Sequence, residues 1–368
     1  MVIAVDLTSL NDNFSGLERY SFEVTKNLLE LDKKNKYVLI FKNEVFPYFA
    51  DKKMDNVSYE VVYGKKLYVN QFSRTKAIKK INPDIVYFPA FPMPVLFKGK
   101  KYRTISMIHD LVAWDCPKTM KFKSKLLFKS GIKKAIKQSS DITTNSNFSK
   151  QRIIEQFNYK KDVTVVPCAS YNFDAAKIYD TAVLNEKYNI PNDYFLTLGT
   201  LEPRKNFDGL LSFYSEMIKQ KPDLPSLVIV GRKGWKMDEL LERYSNISDK
   251  VVITGFVDDE YLASIYYHSK AFLYSSIYEG FGIPVLEAVN YCTVPVVSNI
   301  PTNLEILGDD YDYVFKNEDV NTFIKAINDV MALDEDKKKV FLSKLQQQTA
   351  RYSWRSSAEE LLKLIDNK

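Results

Sequence analysis

Short apolar runs alternate with stretches of helical periodicity along the whole chain, and the series runs twice. In the first half, strand-like runs fall at Val2–Asp6, Tyr37–Phe41, Asp84–Phe88, Thr104–Ile108 and Val163–Val166. A second series holds Tyr194–Gly199, Ser226–Gly231, Val251–Thr254, Ala271–Tyr274 and Val294–Ser298. Amphipathic segments such as Leu17–Leu31, Phe207–Gln220 and Asp258–His268 fill the gaps. Strands that read as near-continuous apolar runs, separated by helices, predict parallel sheets covered on both faces. The expected class is therefore α/β. At 368 residues the chain suits two domains. The polar stretch Ser170–Asn192 separates the two series, and the expected domains are 1–178 and 179–351.

Several function classes drop out on composition. No 18-residue apolar run exists, so no transmembrane helix is expected. The N-terminus Met1-Val2-Ile3-Ala4-Val5-Asp6 lacks a basic leader region and reads as a first strand rather than a signal peptide. Cys116, Cys168 and Cys292 are far apart and show no metal-ligand spacing, which suits a reducing, cytoplasmic compartment. His109 and His268 are the only histidines, so a histidine-rich metal site is not expected. The net charge of +6 is uneven. Residues 1–185 hold 31 Lys+Arg against 18 Asp+Glu, and the rest hold 21 against 28. The basic half could face nucleic acid or an anionic membrane, but it carries no nucleic-acid reading motif, so nucleic acid is not expected as a partner.

The segment Tyr278-Glu279-Gly280-Phe281-Gly282-Ile283-Pro284-Val285-Leu286-Glu287-Ala288 follows one of the buried runs. Gly280 and Gly282 allow close backbone approach, and Pro284 suits the first turn of a helix. A helix start there would offer amides to phosphate oxygens. Glu279 and Glu287 are wrong for phosphate but right for sugar hydroxyls, whose hydrogen bonds carboxylates accept. A diphosphate flanked by two sugars, which is a nucleotide sugar, fits both requirements. Gly199-Thr200-Leu201-Glu202-Pro203-Arg204-Lys205-Asn206 also follows a strand. Arg204 presents a planar fork of donors and Lys205 a compact charge, a pair suited to diphosphate. A solvated helix start is the plainer reading, but cations there oppose the helix dipole. The dinucleotide pattern Gly-x-Gly-x-x-Gly is absent from the first strand–helix turn, where only Gly16 stands.

These motifs resemble the retaining glycosyltransferases of the large E-x7-E family (family 4, group 1). The resemblance is strongest over 194–301 and weaker but recurrent over 1–170. It implies the GT-B architecture: two Rossmann-like domains facing a central cleft, with a C-terminal helix (352–368) crossing back to the N-terminal domain. It implies a donor site of Gly16, Gly199, Thr200, Arg204, Lys205, Gly231, Arg232, Val257, Glu279, Gly280, Phe281, Gly282, Ile283 and Glu287. His109, Glu279, Arg204 and Lys205 take the catalytic places: His109 against the donor sugar, Glu279 on its hydroxyls, Glu287 on the ribose, Val257 at the base. Retention of configuration, no metal and no cofactor follow from the same resemblance. The partners implied are a nucleotide-sugar donor and a glycan or lipid-linked glycan acceptor in bacterial surface polysaccharide synthesis. The Glu-Pro-Arg-Lys-Asn and Gly-Arg-Lys-Gly-Trp runs look most like those of mannosyltransferases, which leans the donor toward GDP-mannose.

Departures from the family pattern lie at Pro167-Cys168-Ala169 and Ser298–Glu305, and bear on substrate more than on reaction. A sugar-nucleotide epimerase on the same architecture would need acid and base groups that one histidine barely supplies. A non-catalytic nucleotide-binding scaffold would not need Arg204, Lys205, Glu279 and His109 together. Between Lys118 and Lys137 the chain carries eight lysines and no acid, interleaved with Phe122, Leu126, Leu127, Phe128, Ile132 and Ile136. Such a basic amphipathic helix either lies on an anionic membrane, placing the protein on its inner face, or packs on its own sheet with solvated lysines.

Overall fold

The computed structural model describes residues 1–11, 15–65, 69–90, 93–94, 96–171, 177–231 and 237–367. Arg232, together with Asn13 and Phe14 of the first loop, lies outside the described residues. The chain divides into two compact units, Met1–Cys168 with Tyr352–Lys368, and Ala169–Arg351. The division thus falls ahead of the expected boundary at 178.

The first unit holds a seven-stranded parallel sheet. Its strands are β1 (Val2–Asp6), β2 (Lys36–Lys42), β3 (Val57–Val62), β4 (Ile85–Phe88), β5 (Arg103–Met107), β6 (Asp141–Thr144) and β7 (Val163–Val165). Their order is β3-β2-β1-β4-β5-β6-β7, so the direction of winding reverses between β1 and β4. The inner strands are apolar because helices cover both faces: Ile3, Ala4, Val5, Ile85, Val86, Tyr87 and Phe88 are fully buried or nearly so. β3 was not expected. Lying at the sheet edge, it is only half-buried and admits Ser58 and Glu60, which break the apolar pattern. The last helix, Trp354–Asp366, packs on helix Gly16–Leu31 through Trp354, Ala358, Leu361 and Ile365. Arg103 fixes its end by donating from Nη1 to the Ile365 carbonyl at 2.8 Å.

The second unit holds β8 (Tyr194–Leu198), β9 (Ser226–Val230), β10 (Val251–Gly255), β11 (Phe272–Tyr274), β12 (Pro295–Ser298) and β13 (Val314–Phe315), all parallel. Their order is β10-β9-β8-β11-β12-β13, so winding reverses between β8 and β11. β13 went unpredicted because two residues carry no period. In an open α/β sheet the carboxyl ends at such a reversal are where loops part and a ligand crevice opens.

Candidate functional site

The two loops that leave the second sheet at its reversal point carry the expected cations and carboxylate. β8 and β11 pair at Leu196 and Phe272, so the loop Gly199–Asn206 runs beside the loop Ser275–Gly282. The loops are stitched by backbone and hydroxyl. Ile277 N–H donates to the Arg204 carbonyl at 2.9 Å, and Ser275 Oγ donates to the Lys205 carbonyl at 2.8 Å. Asn206 ends the first loop in the left-handed region at φ 54° and caps helix Phe207–Gln220, accepting from Gly209 N–H at 3.3 Å. Asparagine tolerates that conformation better than most residues.

Within this frame Glu279 is clamped. Arg204 Nη1 donates to its Oε2 at 2.6 Å, and Lys205 Nζ lies 2.6 Å from its Oε1. Ser276 Oγ donates to Oε1 at 2.7 Å. Glu279 and Lys205 are buried at 7% and 8% exposure, whereas the Arg204 side chain is 28% exposed. Burial by itself raises the Glu279 carboxyl, but the Lys205 and Arg204 charges and the two hydrogen bonds outweigh it and hold the group at about 2. Burial also lowers the Lys205 ammonium, with Glu279 opposing. Lys205 finds a second partner in the Tyr274 hydroxyl at 2.9 Å. Arg204 Nε donates to Glu202 at 3.1 Å at the outer edge. Two cations thus meet two carboxylates, with Lys205 and Glu279 buried and Arg204 and Glu202 at the solvent edge.

Three further glycines crowd the same strand ends. Gly199 N–H donates to the Val230 carbonyl at 2.9 Å, and Gly231 N–H to the Gly255 carbonyl at 3.0 Å. Gly231 adopts φ 155°, and a Cβ there would stand 2.0 Å from the Gly199 carbonyl oxygen. Only glycine fits that approach. Thr200 is exposed and Val257 buried, the latter next to an exposed Phe256. Gly280 and Phe281 are buried, and Gly282 at φ 122° starts helix Ile283–Asn290 with Pro284 in its first turn. Glu287 lies one turn in, buried, accepting from the Tyr266 hydroxyl at 3.0 Å. Burial together with this carboxylate drives the Tyr266 phenol well above its ordinary value.

In the first unit His109 follows β5. Its Nε2 lies 2.8 Å from the Pro89 carbonyl oxygen. A carbonyl only accepts, so Nε2 carries the proton and Nδ1 presents a lone pair. Burial pushes the imidazole down to about 4, against the opposing pull of that carbonyl, so the ring is neutral at neutral pH. The Tyr20 ring meets it edge-on at 4.8 Å between centroids, and Trp354 of the last helix meets Tyr20 at 6.1 Å. Asp110 accepts from Val112 N–H at 3.0 Å. Ser146 caps helix Asn147–Phe157, accepting from Ser149 N–H at 3.0 Å. Gly16 opens helix Gly16–Leu31, whose capping box joins Ser15 and Glu18.

The structure brings Arg204, Lys205 and Glu279 together, with Gly199 and Gly231 beside them. It places His109 and Gly16 in the other unit. Sequence reading missed the residues behind the glutamates, Tyr274, Ser276 and Tyr266. Ser276 stood three residues ahead of Glu279 and was a legible signal. Tyr266 lies on a separate helix and was not. Among the described residues no group of three or more His, Cys, Asp or Glu side chains could hold a metal ion.

Residues 181–344, within the second unit, match the family model of glycosyl transferases group 1. The chain is 32% identical over 241 residues to the Escherichia coli O-antigen chain mannosyltransferase B, covering 63% of this chain and 61% of that protein. It is 26% identical over 365 residues to the O-antigen chain mannosyltransferase RfbU of Salmonella typhimurium, covering 95% of each. The chain spans less than two thirds of the length of the first of these relatives. Its fold is that of Anabaena HepE, solved in complex with UDP and glucose, with TM-score 0.72 at 14% identity over 100% of both chains. The protein therefore has the GT-B fold.

Proposed function

We propose that this chain is a retaining, metal-independent glycosyltransferase that moves a hexose from a nucleotide diphosphate sugar to a hydroxyl of a glycan or lipid-linked glycan. The observation that carries this reading is the clamp of Arg204 and Lys205 on buried Glu279 at the reversal point of the second sheet. Negative charge develops on the departing diphosphate, and donors fixed in advance at that position lower the barrier. Arg204 reaches the diphosphate, which takes the place of the Glu202 carboxylate on the guanidinium. Lys205, already ordered by Glu279 and Tyr274, adds a second positive charge without reorganising. Glu279, held ionised, accepts from the donor sugar's hydroxyls, and Glu287 from the ribose. Gly199, Gly231 and the start of helix Ile283–Asn290 bring backbone close to the phosphates. Neutral His109 is the first unit's substrate-touching group, with Nδ1 as an acceptor. The O-antigen mannosyltransferases named above support a mannosyl donor, and GDP-mannose is the donor we assign; their names also support O-antigen polysaccharide as the product, and we assign the work to the cytoplasmic side.

Calorimetry with a panel of nucleoside diphosphates and nucleotide sugars tests the reading. Selective binding of GDP and GDP-mannose, lost in Arg204→Ala, is expected. Charge-assisted bonds are worth roughly 1.5–3 kcal/mol each, so Arg204→Ala should also lower turnover by roughly 10- to 100-fold or more. Folded protein that binds no member of the panel, or an Arg204→Ala variant with turnover within about twofold of wild type, overturns it.

A further inference from the structure

One side chain outside the two clamp loops is bonded to both of them. Asn317 lies half-buried in the turn after β13. Its Oδ1 accepts from Asn206 Nδ2 at 3.1 Å, and its Nδ2 donates to the Ser276 carbonyl at 3.4 Å. Asn206 closes the loop that carries Arg204 and Lys205, and Ser276 belongs to the loop that carries Glu279. The neighbours fix which way both amides point. Asn206 Oδ1 is taken by the Gly209 N–H, so its Nδ2 faces Asn317. A carbonyl only accepts, so Asn317 must turn its own Nδ2 to Ser276. The Ser276 carbonyl accepts a second bond from Ser298 Oγ at 2.5 Å, and Asn303 Nδ2 donates to the Ser298 carbonyl at 2.9 Å. Ser276, Ser298 and Asn303 are fully buried. The segment Ser298–Glu305, where the sequence departs from the family pattern, thus backs the carboxylate loop. A neutral amide suits the bridging place because it supplies a donor and an acceptor without changing the charge around Glu279.

We infer that Asn317 is a positioning residue for the transfer step: it ties the cation loop to the carboxylate loop and so sets Arg204 and Lys205 against Glu279. The inference rests on the function proposed above for those three residues. Asn317 acts through its neighbours. Ser276, held at its carbonyl, donates from its hydroxyl to Glu279 Oε1 at 2.7 Å, and Asn206 directly follows Lys205. A side chain that only filled the end of the sheet would contribute to stability alone. A tie between the two halves of a preorganised site contributes to the transition state as well, because a misplacement of about 1 Å can cost on the order of 100-fold in rate.

Asn317→Ala and Asn317→Ser in the full chain remove the tie, since neither side chain can span the two loops. Asp319→Ala is the control for stability: Asp319 lies two residues on and caps helix Val320–Met331, accepting from Asn321 N–H at 3.0 Å, away from both loops. Urea unfolding first shows that each variant is folded. Two readouts follow, release of GDP from GDP-mannose and peptide-resolved hydrogen exchange over 199–206 and 275–282. In the Asn317 variants kcat should fall by about tenfold or more while the KM for GDP-mannose stays within about threefold, and both loops should exchange faster. Asp319→Ala should lose stability but keep kcat and the exchange of both loops. Unchanged loop exchange in the Asn317 variants overturns the tie. Faster exchange with unchanged kcat, or a kcat loss that Asp319→Ala matches, overturns the positioning role. Wild-type protein that releases no GDP sinks the proposed function instead, and the exchange of the two loops then decides the tie by itself.

Discussion

Glu279 and Lys205 are each costly to bury, and each is tolerated because the other is there. Removing Glu279 leaves Lys205 buried without its carboxylate, and removing Lys205 leaves Glu279 with Arg204 alone, so the two should be energetically coupled. Lys205→Met and Glu279→Gln should each destabilise the fold, and the double variant should lose less than the sum, with a coupling of about 1–3 kcal/mol in urea unfolding. Strict additivity would mean that the clamp contributes nothing. The two perturbed groups also divide the acid limb of stability. His109 titrates at about 4 when folded and at about 6.5 when unfolded, so the unfolded state binds more protons in that window and stability falls as pH drops from about 6.5 toward 4. Glu279, held at about 2, loses its contribution only below the ordinary carboxyl value, as pH falls through about 4.5 toward 2. His109→Gln should therefore reduce the wild-type loss between pH 6.5 and 4.5 by about 2 kcal/mol, measured by urea midpoints. An unchanged slope there would contradict a half-buried imidazole held neutral. At this scale the sequence named both cations and the carboxylate but not their mutual contact. Arg204 and Glu279 lie 75 positions apart, and only the pairing of β8 with β11 closes that gap.

Elements were legible where a pattern had room to repeat. The apolar strands of both sheet centres read correctly because burial on two faces leaves no polar position, whereas the edge strand β3 and the two-residue β13 offered no such run. The helix after Gly282 was legible from Pro284, and its turn count placed Glu287 one turn inside. What no element pattern conveys is how closely neighbouring strand ends approach. Gly231 sits against the Gly199 carbonyl at the ends of β9 and β8, with no space for a methyl group. Gly231→Ala must push the two loops apart as well as adopt a strained φ, at a cost of about 1–3 kcal/mol. Because Lys205 and Arg204 follow Gly199 in the same loop, nucleotide affinity should fall with stability. Calorimetry and urea unfolding of Gly231→Ala should show both losses; a stability loss with unchanged nucleotide affinity would separate this turn from the site.

At the scale of the whole molecule, the return of residues 352–368 to the first unit was expected from resemblance alone, and its physical basis is an apolar stripe. Trp354, Ala358, Leu361 and Ile365 are spaced to face one side of a helix, and all are buried against helix Gly16–Leu31. Ser353 caps the start, accepting from Ser356 N–H at 3.0 Å, and Ser357 Oγ donates to the Pro167 carbonyl at 2.7 Å. The segment also completes a chain of aromatic contacts, Trp354 to Tyr20 to His109. Such a stripe does not by itself say which surface it covers, since either sheet would have accepted an amphipathic helix. Ending the chain after Arg351 would expose the matching face of helix Gly16–Leu31 and strip the Arg103 guanidinium of its carbonyl acceptors. The loss should fall on the unit that does not contain the cut. We expect the truncated protein to lose stability in the first unit by several kcal/mol, since each large side chain buried there is worth about 1.5–3 kcal/mol. The second unit, holding Arg204, Lys205 and Glu279, should stay protected. Hydrogen exchange resolved by peptide decides this: faster exchange in residues 1–168 with unchanged exchange in 181–344 is the expected outcome, and uniform protection across both would show that the last helix is not part of the first unit's core.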